Sequence, residues 1–359
     1  MEVSPLNIYR NRKVFITGNT GFKGSWLSLV LQHLGAEISG YSLSPQTDPN
    51  HFSFLDMEAI THIGDILDGE ILKKAVAKAQ PEIIFHLAAQ PLVRASYKDP
   101  VNTYQTNVIG TLQLLEAARN CKSVRAVVLI TTDKVYENKE STKAYTETDR
   151  LGGYDMYSSS KACCEILISS YRNSFLNIDE YKRSHNILIA SARAGNVIGG
   201  GDWSADRLIP DIVKAAAQNQ KVQIRNPQAV RPWQHVLDSA YGYLLLGGKL
   251  LNEEKDFAEA FNFSPFPGDA KNVEEIAGIA KKCWSNIDIK FEKPEDDLHE
   301  AGLLVLDNSK AMNKLGWHPV WDTGEAVEET ISWYKEFYSS GKIMSKEQIT
   351  AYFQKLTAH

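Results

Sequence analysis

Lys13-Val14-Phe15-Ile16-Thr17-Gly18-Asn19-Thr20-Gly21-Phe22-Lys23-Gly24 is the stretch on which the fold turns. Val14 to Thr17 read as a short buried strand, three glycines spaced by three residues follow, and Trp26, Leu27, Leu29, Val30 and Leu34 continue as an apolar helix. Such glycines let the backbone turn tightly, approach a pyrophosphate and bring the helix down onto the strand. A phosphate at that helix's N-terminus would meet free N–H groups and the positive end of the macrodipole. The spacing is G-x-x-G-x-x-G, not G-x-G-x-x-G, and glycines also end strands and cap helices for purely structural reasons. Position between a buried strand and a helix is what points to dinucleotide binding, by Gly18, Thr20, Gly21, Phe22, Lys23 and Gly24.

Outward from that turn the pattern repeats. Strands are expected at 37–43, 61–65, 82–87, 126–131 and 186–192, with helices at 68–79, about 101–120 and 154–174 between them. The run 82–87 is apolar without alternation, as in a strand buried on both faces of a parallel sheet. Right-handed β-α-β crossovers then give an α/β fold, a Rossmann-type doubly wound parallel sheet whose ligands lie beyond the strands' carboxyl ends. After Gly195 the texture changes to loops, short strands and a helix at 207–218. Helix 236–251 and strand 261–263 return to the main sheet. The expected division is 1–194 with 234–265 as a NAD-binding domain, and 195–233 with 266–359 as a smaller mixed α/β substrate-binding lobe closing over the strand ends.

Composition excludes several classes. The chain has 359 residues, enough for a large core, and a net charge of −5 with both signs interspersed. That argues against nucleic acid as a partner. Residues 1–12 lack an apolar signal core and no apolar run approaches the roughly 18 residues of a membrane span, so a cytoplasmic location without membrane attachment is expected. Cys121, Cys163, Cys164 and Cys283 include a neighbouring pair but no C-x-x-C, so reduced structural cysteines are expected and no metal site.

The second strand ends Gly40-Tyr41-Ser42-Leu43, without the acid that usually holds the ribose 2′-hydroxyl. No arginine lies between Arg12 and Arg94 to receive a 2′-phosphate, although Lys23 could, so NAD is favoured and NADP stays open. Asp65 would suit the adenine amine, with Ile66 beside it, and Leu87-Ala88-Ala89-Gln90 would pass under the ribose and pyrophosphate. Ordinary strand-end packing explains both stretches equally well.

Tyr157-Ser158-Ser159-Ser160-Lys161 carries the chemistry. Residues i and i+4 share a helix face, roughly 5 to 6 Å apart at Cβ. An ammonium there lowers a tyrosine pKa and gives a base for a sugar hydroxyl while hydride leaves the same carbon. Tyr9 with Lys13 and Tyr338 with Lys342 repeat the spacing without a site around them, so placement after the strand ending Thr131-Thr132-Asp133-Lys134 is what distinguishes Tyr157. A base and an acid just past that strand could be a solvated salt bridge. Beside a redox tyrosine they suit a β-elimination, because oxidation at C4 of a hexose makes the C5 proton acidic and leaves the C6 hydroxyl free to depart.

The glycine loop, Tyr157 with Lys161, and Thr132 are similar to the extended short-chain dehydrogenase/reductase family. Longer motifs are more specific: Ala88-Ala89-Gln90-Pro91-Leu92-Val93-Arg94, Arg193-Ala194-Gly195-Asn196-Val197-Ile198-Gly199-Gly200-Gly201-Asp202-Trp203, Arg231-Pro232-Trp233-Gln234-His235-Val236 and Leu315-Gly316-Trp317. These resemble the nucleotide-sugar 4,6-dehydratases of that family that act on CDP-glucose, over nearly the whole chain. The resemblance implies Tyr157 as redox base, Lys161 on the nicotinamide ribose, Thr132 on the reacting oxygen, Asp133 as acid and Lys134 as base. Asn107 would hold the tyrosine-lysine helix in shape beside the cofactor. Gln90, Arg94, Asn196, Arg207 and Arg231 would meet the substrate, and arginine's fixed fork suits its diphosphate. It also implies a homodimer or homotetramer, with helices near 102–118 and 157–171 as the dimer surface. Asn19 departs from the histidine usual in these relatives and bears on cofactor affinity. A UDP-sugar 4,6-dehydratase or a 4-epimerase would share most of these residues, though an epimerase does not need Asp133 and Lys134. A non-catalytic dinucleotide-sensing regulator would be expected to have lost Tyr157, Lys161 or Thr132.

Overall fold

The structure, a computed structural model, describes residues 5–292 and 301–358. Seven strands form one parallel sheet: β1 (Lys13–Thr17), β2 (Glu37–Ser42), β3 (Ile60–Ile63), β4 (Ile83–His86), β5 (Ala126–Ile130), β6 (Leu188–Ala194) and β11 (Ala260–Phe263). Their order is β11-β6-β5-β4-β1-β2-β3. The chain leaves β1 toward one edge and returns beside it at β4 to build toward the other. The crevice beyond the carboxyl ends of β1 and β4 is therefore the switch point at which doubly wound sheets bind ligands.

Between the strands run α1 (Phe22–His33), α2 (Gly69–Ala79), α3 (Val93–Lys98), α4 (Pro100–Tyr104), α5 (Gly110–Arg119) and α6 (Met156–Asn173). Beyond β6 come β7 (Val197–Ile198), α7 (Leu208–Ala217), β8 (Lys221–Ile224), β9 (Val230–Arg231), β10 (Gln234–His235) and α8 (Val236–Leu251). After β11 follow β12 (Lys271–Asn272), α9 (Val273–Cys283), β13 (Asp288–Phe291), α10 (Thr323–Ser340) and α11 (Ser345–Ala358). The three small pairs β7/β10, β8/β13 and β9/β12 build the mixed lobe over the sheet's carboxyl edge. As expected, α8 and β11 rejoin the sheet, β11 pairing with β6.

Two elements differ from the sequence reading. The single helix expected at 101–120 is broken into pieces. Asp99 caps α4 through a 3.0 Å bond from Asn102 N to Oδ1, and Pro100 sits at the start of α4, where its missing N–H costs nothing. A wide π turn at Gln105–Ile109 then separates α4 from α5. The second difference is α11. Phe353 stacks on His33 of α1, and Tyr352 OH donates to Asp238 of α8 at 2.8 Å, so this end of the chain packs on the main domain and not over the strand ends.

Candidate active site

A cavity of about 1020 Å³ runs from the β1/β4 switch point to β8 and β9. Gly18 and Gly24 are required at its floor. Gly18 has φ +76°, a left-handed conformation, and a Cβ there would lie 2.7 Å from the Ala88 backbone N. A Cβ on Gly24 would lie 2.8 Å from Asn19 Cα. Gly21 is the extended N-cap of α1, so the free N–H groups of that helix face the cavity beside Thr20, Phe22, Leu87, Ala88 and Ala89. This cradle of close backbone at a helix N-terminus fits a dinucleotide pyrophosphate.

Thr132, Lys134, Tyr157 and Lys161 line the same cavity. Thr132 is the N-cap of a 3-10 turn at Asp133–Val135, its Oγ1 accepting from Lys134 N at 3.4 Å and donating to Asp133 Oδ1 at 2.9 Å. Lys134 Nζ donates to Asp133 Oδ1 at 3.2 Å and to Asn196 Oδ1 at 3.4 Å. On the facing helix, Asp155 caps α6 by accepting from Ser158 N at 2.9 Å, which puts Tyr157 in the first turn. Tyr157 N, in the first turn, has no carbonyl of its own helix to donate to and donates to Ser96 Oγ at 3.1 Å. Lys161 Nζ donates to the Ile130 carbonyl at 3.3 Å, at the end of β5.

Asn107 ties these parts together. Its Oδ1 accepts from Gln90 N at 2.8 Å, and its Nδ2 donates to Ser160 Oγ at 2.8 Å and Gln90 O at 3.2 Å. It therefore joins the loop after β4 to the tyrosine-lysine helix, from within the wide turn at 105–109; such π turns often mark functional sites. It is buried behind the cavity wall, so it positions the helix and does not itself meet a cofactor.

Several expectations are corrected by the geometry. Burial pushes the Tyr157 phenol up to about 12, against the favourable pull of Thr132 and Arg207, whereas an ammonium-lowered value was expected. Lys161 is itself lowered by burial and spends a donor on Ile130. Lys23 lines the cavity as well. Burial lowers it to about 7, and the charges it feels are Arg207, Asp133, Lys161 and Lys134, at the catalytic end. Asn19 points back toward β3, donating to Thr61 Oγ1 at 2.8 Å, and does not enter the pyrophosphate turn. Gln90 spends its side chain on Leu92 and Thr103, which fixes the loop. Asp133 is 0% exposed, so its carboxyl stands behind Lys134 and Thr132 and not on the cavity wall.

At the far end, Arg94, Asn196, Arg207 and Arg231 all line the cavity, as do Asp65 and Ile66 at the adenosine end. Arg207, at the N-cap of α7, donates to Asp202 Oδ2 at 3.3 Å. Arg231 donates to the carbonyls of Val230, Gly302 and Ala301. The lining carries seven Lys and Arg against five Asp among the described residues, in a chain of net charge −5. This concentration of positive charge suits a diphosphate. Arg225 was not anticipated. It follows β8 and stands 3.6 Å from Asp206, and the signal that could have found it was a second arginine close before Arg231.

Fold and site together define a Rossmann-type short-chain dehydrogenase/reductase of the extended, sugar-nucleotide kind. The GDP-mannose 4,6 dehydratase family model matches residues 15–330, and the chain belongs to that family. It is 46% identical over 98% of its length, and 99% of the relative's, to the CDP-glucose 4,6-dehydratase of Salmonella typhimurium. It also resembles solved structures. The epimerase Mth375 of Methanothermobacter thermautotrophicus superposes with TM-score 0.82 at 24% identity, covering 97% of this chain and 96% of that one. The dTDP-glucose 4,6-dehydratase of Streptomyces venezuelae, solved with NAD bound, gives 0.76 at 23% identity, covering 90% and 97%. At that identity the two structures speak for the fold alone. Among the described residues no helix is long and apolar enough to cross a membrane.

Proposed function

We propose that the protein is an NAD-dependent hydro-lyase that converts CDP-D-glucose to CDP-4-dehydro-6-deoxy-D-glucose. The observation that carries this reading is Lys134 on the wall of the cavity that also holds Tyr157, Lys161 and Thr132, in a chain 46% identical to a CDP-glucose 4,6-dehydratase. A redox tyrosine alone would serve an epimerase equally well; a base beside it is what an elimination requires.

Gly18, Gly21, Gly24 and Lys161 would hold NAD, which would supply a hydride acceptor at C4 and the hydride for C6. The remaining steps fall to this chain's residues. Tyr157 takes the proton of the C4 hydroxyl, Thr132 holds that oxygen, and Lys161 orients the ribose and Tyr157. Lys134 removes the C5 proton, the C6 hydroxyl leaves as water, and C5 takes a solvent-derived proton back from Lys134 as hydride arrives at C6. Because Asp133 is buried against Lys134, it holds and tunes that base, and the proton for the departing hydroxyl reaches it through Lys134. Asn196, Arg94, Arg207 and Arg231 bind the diphosphate and nucleotide. Segments 1–194 and 234–265 hold the cofactor, with α11 packed on them, and 195–233 with 266–340 supply the sugar-nucleotide side. The protein works in the cytoplasm as a homodimer or homotetramer. In support, Val101, Ile109 and Ile166 are exposed along the segments expected to pair.

The test is incubation with CDP-, dTDP-, UDP- and GDP-glucose, with and without NAD, followed by NMR of the sugar. A 4-keto-6-deoxy product from CDP-glucose is expected; a C4 epimer, or turnover of another nucleotide alone, would overturn the reading.

A further inference from the structure

The face of α6 that carries Tyr157 and Lys161 carries one more ionisable residue, Glu165, one turn past the lysine and two past the tyrosine. It is 1% exposed. Thr131 Oγ1 donates to Oε1 at 2.5 Å, and Ser191 Oγ and Arg193 Nη2 each donate to Oε2 at 2.8 Å. Thr131 is the residue before Thr132-Asp133-Lys134. Arg193 Nη1 in turn donates to Tyr136 OH at 2.9 Å, and its guanidinium lies 5.2 Å over the Tyr136 ring, just after Lys134 in the chain. From one carboxylate, bonds therefore run to both sides of the reaction apparatus.

Burying an ion pair this deeply is a poor route to stability, since desolvation costs several kcal/mol per ion and apolar replacements are often neutral or better. A role in placing charge explains it better. The groups facing Lys161 are Cys164 and Glu165 on its own helix, His86 of β4 and Lys23 of α1. Burial raises the Cys164 thiol and pushes His86 down to about 3, so both are neutral at pH 7, and Lys23 has the same sign as Lys161. Glu165 is the anion of that set. It faces Arg193 across the sheet and Arg172 and Cys164 along the helix. Burial works to raise its pKa, but Arg193 and the three hydrogen bonds outweigh burial and hold it below the ordinary carboxylate value.

We propose that Glu165, clamped by Arg193, is a positioning residue: it places a buried negative charge one helical turn from Lys161, and it fixes the spacing between the Tyr157–Lys161 pair and Thr132-Asp133-Lys134. The proposal rests on the dehydratase reading above for what Lys161 and Tyr157 do. Its electrostatic half can be measured without substrate or cofactor.

The experiment titrates Lys161 in the ligand-free protein by NMR of isotope-labelled, reductively dimethylated lysines, the signal assigned by its loss in Lys161→Arg. In Glu165→Gln the Lys161 midpoint should fall by about one unit, roughly a tenfold change in the ammonium-to-amine ratio. The double variant Glu165→Gln/Arg193→Met, which leaves no lone buried charge, should show the same direction. Glu165→Asp, which keeps the charge but draws it back by one methylene, should shift less, and it decides the matter if neither neutral variant folds. In turnover assays the alkaline limb of kcat should move down with the midpoint, while KM for the sugar nucleotide stays within about twofold. A lowered Tm with the Lys161 midpoint and the alkaline limb unchanged would reduce Glu165 to a structural residue and overturn the proposal. Failure of the wild-type protein to turn over CDP-glucose would instead count against the function, leaving the Lys161 titration to be judged by itself.

Discussion

Lys134 Nζ lies 3.2 Å from Asp133 Oδ1, and the two side chains are exposed very unequally, 27% for the lysine and 0% for the aspartate. The member of the pair that can meet a sugar is therefore the lysine. Asp133 Oδ2 has no hydrogen-bond partner among the described residues, so the carboxylate keeps acceptor capacity directed at its neighbours. Lys134, the proposed base of the elimination, is held by a buried charge and borders solvent-accessible space, where its protons can exchange.

Oxidation at C4 does not need Lys134, whereas loss of the C5 proton does. Lys134→Met should still reduce bound nicotinamide on mixing with CDP-glucose but stall there, with little 6-deoxy product. In heavy water the unaltered protein should place deuterium at C5. Absorbance of the reduced nicotinamide and NMR of the C5 position check both; normal product from Lys134→Met would assign the base elsewhere.

Tyr157→Phe should abolish the first step as well as product, at a loss of at least the roughly 100-fold typical of a missing general base. Tyr9→Phe is the control for the shared Tyr-x-x-x-Lys spacing, but it is not silent. Tyr9 is fully buried and its hydroxyl donates to the Leu244 carbonyl at 2.6 Å. Activity should be unchanged and unfolding stability lower by about 1 kcal/mol, read by denaturant titration. Near-normal turnover by Tyr157→Phe would remove the tyrosine from the mechanism.

Cofactor choice follows from the end of β2. Ser42 Oγ is paired with Thr20 Oγ1 at 2.7 Å and Thr20 Oγ1 also donates to the Leu43 carbonyl at 2.8 Å, so no acid grips a ribose hydroxyl there. Burial and the like charges of Arg207, Lys161 and Lys134 lower Lys23 to about 7, which weakens it as a host for a 2′-phosphate. Purified protein should be only partly loaded, and added NAD should raise its activity more than NADP does. A preparation saturated with NADP would contradict this.

The parts of the structure that local pattern controls were legible in the sequence. The strand-glycine-helix stretch at 13–33 and the buried run at 82–87 form where expected, because apolar β-branched runs and glycine geometry act over a few residues. The wide turn that carries Asn107 was not legible, since a π turn of five residues leaves no periodic trace. Tyr157 was misjudged in its titration. Helical spacing put Lys161 one turn away, yet burial outweighs the lowering pull of Thr132 and Arg207, and burial is a property of tertiary packing. The docking of α11 on α1 was invisible for the same reason: His33 and Phe353, its stacked pair, are 320 residues apart in sequence.

That docking depends on Asp238, which should make stability depend on pH. Asp238 of α8 is fully buried, and its Oδ1 accepts from Val320 N at 2.7 Å and from Tyr352 OH of α11 at 2.8 Å. Burial raises its pKa to about 7, against the lowering pull of those bonds, Trp321 N and Lys355. A carboxyl whose folded pKa lies above its unfolded value near 3.9 binds its proton more tightly when folded. Its contribution is therefore full below about pH 4 and lost as pH rises through about 7. Three units correspond to about 4 kcal/mol, an upper bound because other groups titrate in the same window. Thermal unfolding followed from about pH 5 to about pH 8 should show the unaltered protein losing stability relative to Asp238→Asn, whose amide cannot ionise but can still accept from Tyr352. Truncation of α11 should weaken this difference, because it opens Asp238 to water and burial is what raises its pKa. Parallel pH profiles for the unaltered protein and Asp238→Asn would mean that the carboxyl stays ionised in the folded chain.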